Sequence, residues 1–67
     1  MLMPREHREH LCRQLRRIRS ATVQLERELL LDRTAPLTAT FTAYSIGDQV
    51  HEVEQLLSRL LYESLSS

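Results

Sequence analysis

Two long apolar stripes at helical spacing, with almost no other chain to cover them, constrain this sequence more than any other feature. Leu11, Leu15, Ile18, Thr22, Leu25 and Leu29 recur at intervals of four and three, the narrow face of one helix. Ile46, Val50, Val53, Leu57 and Leu60 repeat the rhythm further on. Leu56, Leu61 and Leu65 widen that second stripe. Two helices laid together have no third element to close a core, and 67 residues supply none. Domains of this size gain only about 3–5 kcal/mol from their own core, and usually lean on disulfides, metal or oligomerisation. A single cysteine rules out an internal disulfide.

The expected architecture is therefore all-α: one domain over 1–67, an antiparallel two-helix hairpin completed by a partner or by self-association. The first helix is expected over about 5–32, the turn over 33–38 and the second helix over about 39–65. Pro4 suits a helix start. Glu6 and Glu9 near that start and Arg33 near the end suit the helix dipole. Thr22, the one polar residue in the first stripe, can pack its methyl and hydrogen-bond its hydroxyl to the preceding turn. Cys12, Val23 and Leu30 form a weaker second row.

Pro36 disfavours helical conformation at Ala35, which places the turn there. From Leu37 to Tyr44 apolar residues alternate with threonine, a strand-like pattern. A lone strand would leave its backbone groups unpaired, so a helix is expected instead, with Thr38 as a candidate N-cap. Gly47 costs about 1 kcal/mol inside a helix. It marks a bend, a helix end before Asp48, or a point of close approach; one continuous helix is the preferred reading.

Composition excludes more than it selects. The net charge is zero, so no global field draws the chain to nucleic acid or membrane. The charge is nevertheless polarised. Residues 1–33 hold eight arginines against five acids, and residues 34–67 one arginine against four. That asymmetry favours attraction between the helices, or between copies. All nine basic residues are arginine. No stretch approaches the ~18 apolar residues of a membrane span. No secretory leader is expected, since Pro4 and Arg5 come soon after Met1, and a lone cysteine fits a reducing compartment. The expected location is the bacterial cytoplasm.

No constellation for catalysis stands out, and neither metal nor cofactor is expected. His7 and His10 share a helix face, but zinc needs three or four ligands in a folded frame. His51-Glu52 lacks a second histidine four positions on, where Gln55 stands. Cys12 has no paired base. The only glycine, Gly47, builds no phosphate loop. Arg13, Arg16, Arg17 and Arg19 could meet phosphates; zero net charge and aromatics confined to the other helix argue against it.

The second helix is apolar over more than half its circumference, because Phe41, Tyr44 and Tyr62 lie away from its main stripe. One neighbouring helix cannot cover both sides, and the excess marks a binding surface. Phe41, Tyr44, Val50, Val53, Leu57, Leu60 and Leu61 are the expected partner face. Leu11, Leu15, Ile18, Leu25 and Leu29 are the expected intramolecular seam. The two sets can overlap, since the second helix must serve both.

Two stretches carry a resemblance. Arg19-Ser20-Ala21-Thr22-Val23-Gln24-Leu25-Glu26 lies in the first helix, and Thr40-Phe41-Thr42-Ala43-Tyr44 opens the second. Val50-His51-Glu52-Val53-Glu54-Gln55-Leu56-Leu57 and Leu60-Leu61-Tyr62 follow. Over roughly residues 15–65 the chain resembles the small co-chaperones of type III secretion needle subunits, the YscE/SsaE-like group. The resemblance implies an antiparallel hairpin that docks on a larger helical-repeat chaperone. The pair then keeps a self-polymerising needle subunit soluble and monomeric before export. The alternative is a homo-oligomeric hairpin acting as a small regulator or RNA-binding protein.

Overall fold

A computed structural model describes residues 3–66 as two helices, α1 (Arg5–Leu30) and α2 (Pro36–Ser66). Among the described residues there is no strand. Pro4 and His7 meet Leu60, Leu61 and Ser64 at one end, while the connection joins the helices at the other. The hairpin is therefore antiparallel, and it is long and thin at 50 × 18 × 12 Å.

Each helix starts with a proline used differently. Pro4, with ψ 146°, is the N-cap of α1, and its carbonyl accepts the Arg8 N–H at 3.1 Å. Pro36 is the first residue of α2, where a fixed φ fits the helix and a missing N–H costs nothing. Ala35 caps it, and its carbonyl accepts the Ala39 N–H at 2.9 Å. This corrects the expected boundary. The turn is Leu31–Ala35 rather than 33–38, and Thr38 sits inside the helix. The proline that bars Ala35 from helix is itself a good first helical residue.

α1 ends two residues before the expected Asp32, in a Schellman motif. The Arg33 N–H donates to the Glu28 carbonyl at 2.8 Å and the Asp32 N–H to the Leu29 carbonyl at 3.2 Å. Such a motif needs a left-handed residue, usually glycine. Asp32 takes that role with φ 53°, a conformation aspartate tolerates better than most residues.

The threonine-rich start of α2 is helical because its hydroxyls are absorbed locally. Thr40 donates to the Pro36 carbonyl at 2.8 Å and Thr42 to the Thr38 carbonyl at 3.0 Å. Thr22 likewise donates to the Ile18 carbonyl at 2.7 Å, as its place in the stripe implied. α2 runs unbroken through Gly47. A Cβ added there would meet nothing within 4 Å, so nothing inside the hairpin requires a glycine.

The core is minimal. Leu11 and Val53, each 6% exposed, are the buried hydrophobic residues among those described. In α1 the half-buried companions of Leu11 are His7, Gln14, Ile18, Ala21, Leu25 and Glu28. In α2 the half-buried residues are Ala39, Thr42, Ile46, Gln49, Leu56, Leu60 and Ser64. Both rows follow the four-and-three rhythm of an antiparallel coiled-coil seam.

Candidate docking surface

The seam is not the stripe that the apolar periodicity defines. It keeps Leu11, Ile18 and Leu25, but takes Gln14, Ala21 and Glu28 as the second row in place of Leu15, Thr22 and Leu29. Leu15 and Leu29 are 51% and 55% exposed. This corrects their assignment to the intramolecular seam. In α2 the same shift occurs. Ile46, Val53 and Leu60 stay, Thr42, Gln49 and Leu56 fill the second row, and Val50 and Leu57 are left outside.

The reason is geometric. The apolar arc on each helix spans the shared row and the flank one residue further on. A single neighbour centred on one flank uncovers the other. The flank chosen brings Ala21, Ala39 and Thr42 into the seam, where short side chains let two backbones approach. The choice costs polar satisfaction: the Gln14 Oε1 is buried without a hydrogen-bond partner among the described residues, an arrangement worth about 1–3 kcal/mol against folding.

The shift places the leftover apolar residues on one side. Gln14 and Arg17 share a hollow with Gln49 and Glu52, so the flanks bearing Arg17 and Glu52 form one polar side of the hairpin. The opposite flanks share the other side, and they carry Leu15, Thr22 and Leu29 from α1 and Ala43, Val50 and Leu57 from α2. Thr22 adds little polarity there because its hydroxyl is already spent on the Ile18 carbonyl.

The expected partner residues thus separate into three positions. Val53 and Leu60 belong to the seam, one buried and one half-buried. Val50 and Leu57 lie on the apolar strip. Phe41 and Tyr44 project from the outer side of α2 at 63% and 68% exposure, near exposed Leu37. Leu61 lies between strip and outer side, beside Tyr62 and Leu65, both exposed. Leu15 and Leu29 are the strip residues that the sequence reading placed elsewhere. The signal that finds them is the second 4-3 row, Gln14, Ala21 and Glu28, which competes for the seam with smaller and more polar side chains.

Among the described residues no ion pair links the two helices. Arg5 and Glu9 pair at 2.9 Å, and the His51 ring lies 3.9 Å from the Glu54 carboxylate, each contact within one helix and exposed. Arg13, Arg16, Arg17 and Arg19 are exposed on α1. Arg16, Arg19, Arg27 and Arg33 border a shallow outer groove with Val23 and Leu31. The basic first half and acidic second half therefore leave their charges available to other molecules.

No group of three or more His, Cys, Asp and Glu side chains among the described residues is placed to hold a metal ion. His7 is half-buried near Leu57 and Leu60, His10 is exposed, and so is Cys12. No described helix is long and apolar enough to cross a membrane. Comparison of the chain with protein-family models, curated proteins and solved structures finds no match.

Proposed function

We propose that the hairpin is a protein-binding module: a co-chaperone that docks on a larger helical-repeat chaperone and helps hold a type III secretion needle subunit soluble and monomeric in the bacterial cytoplasm before export. One observation carries the binding reading. Among the described residues thirteen large apolar ones are exposed against two that are buried, the reverse of a chain that folds for its own core. On α2 the exposed set falls into two clusters, Val50, Leu57 and Leu61 on and beside the strip, and Leu37, Phe41 and Tyr44 on the outer side near the start of the helix. An amphipathic surface of that kind fits a groove lined by helices. The secretion assignment rests on the resemblance over residues 15–65, which agrees with a hairpin whose apolar excess lies on its second helix.

The test is co-expression with the helical-repeat chaperone and needle subunit of the same secretion apparatus. Leu57→Asp and Phe41→Asp should each abolish co-purification, since an unpaired charge in an apolar interface costs several kcal/mol. Arg16→Ala with Arg17→Ala should leave the complex intact. Undiminished binding by both Asp variants would refute the assignment. A salt-sensitive loss of nucleic-acid binding in the double arginine variant would favour an RNA-binding hairpin.

A further inference from the structure

We infer that the free chain covers its apolar strip with a second copy of itself, in one particular arrangement. Two hairpins pair face to face along Leu15, Leu29, Val50 and Leu57 about a two-fold axis parallel to the helices, so that α1 of each lies on α2 of the other.

Face-to-face pairing of two hairpins allows two choices of two-fold axis. An axis across the helices stacks α1 on α1, setting one arginine-rich helix against another. An axis along the helices stacks α1 on α2. With eight arginines against five acids in residues 1–33, and one against four in 34–67, only the second choice brings unlike charge together across the interface. Among the described residues no ion pair joins the two helices of one copy. The broad side of the hairpin, 50 by 18 Å, is large enough to cover the roughly 800 Å² per partner of an ordinary stable interface.

The axis also fixes which residues meet. Gln14 and Arg17 lie level with Gln49 and Glu52, so Arg19 lies level with Gly47. An axis along the helices preserves levels, and Arg19 of one copy then stands over Gly47 of the other. Helical side chains lean toward their own N-terminus. Arg19 leans toward the level of Leu15, and Glu54 of the facing antiparallel helix leans toward the same level, where the two can pair. Gly47, with open space where a Cβ would be, leaves room for the arginine stem. The glycine that nothing within the hairpin requires thus gains a role.

The inference deepens the docking reading and rests on it in one respect: Val50 and Leu57 serve both surfaces, so self-pairing and partner binding exclude each other. Phe41 lies outside the self-paired strip.

The arrangement puts both loops at the same end. Arg33→Cys in a Cys12→Ser background, spin-labelled and studied by pulsed dipolar spectroscopy, should give a loop-to-loop distance of roughly 15–25 Å, the diagonal of a four-helix bundle plus the labels. Light scattering on the unmodified chain should show a dimer that weakens with ionic strength. Arg19→Glu or Glu54→Arg should each weaken dimerisation about tenfold, and the two together should restore it. A monomer at every concentration, a distance near the 50 Å length of the hairpin, or failure of the double swap to restore pairing would overturn the inference. Phe41→Asp separates the two claims. A variant that still dimerises but loses the chaperone upholds both, whereas a monomeric wild-type chain that still needs Phe41 for binding retains the docking reading alone.

Discussion

The second row of the seam and the strip beside it are built from the same turns of the same helices, one residue apart, and the less apolar of the two is the one inside. Gln14, Ala21 and Glu28 face α2, while Leu15 and Leu29 face out. A chain selected for its own stability would bury the leucines and avoid an orphaned Gln14 Oε1. This one keeps Leu15 and Leu29 at the surface.

The largest expected effect that could break this contrast comes from exchanging charges between the two rows. Val53→Asp places a carboxylate at a position 6% exposed, at a cost of several kcal/mol against a core worth about 3–5. Far-ultraviolet circular dichroism should show the helices lost. Leu57→Asp, one turn along on the strip, should weaken chaperone binding more than a hundredfold by titration calorimetry, since burying an unpaired charge costs several kcal/mol. If Val53→Asp stayed helical and Leu57→Asp still bound, the two rows would have to be exchanged.

Smaller changes sharpen the contrast. Gln14→Leu should stabilise the hairpin by about 1–2 kcal/mol in urea unfolding, by removing a buried polar atom that lacks a partner. Gly47→Ala should add about 0.5–1 kcal/mol of helix propensity, because the added methyl meets nothing within the hairpin. Asp32→Gly should add about 0.5 kcal/mol by relieving the left-handed residue of the Schellman motif. Gln14→Leu that destabilised the chain would mean that the glutamine has a partner which the isolated hairpin does not show.

The all-α hairpin was legible from the two 4-3 stripes, because an apolar period of about 3.6 residues admits little else in a chain with one glycine and two prolines. Thr22 was legible too, since a threonine in an apolar stripe has one local acceptor within reach. The start of α2 was misplaced by three residues. Pro36 signals a break to the residue before it and a start to the residues after it, and only the second meaning sets the helix boundary. The strip was half legible. Val50 and Leu57 were assigned to a partner, but Leu15 and Leu29 were assigned to the seam. Periodicity gives the width of an apolar arc and not which flank a neighbour takes. That choice depends on how closely the backbones approach at Ala21, Ala39 and Thr42, a property of the pair rather than of either helix.

The most direct test of the binding account is size exclusion with light scattering on the chain co-expressed with the helical-repeat chaperone, wild type beside Phe41→Asp. The account predicts a stable complex for the wild type, and an equally helical variant that elutes without the chaperone. Absence of a wild-type complex, or a Phe41→Asp complex of undiminished stability, would contradict it.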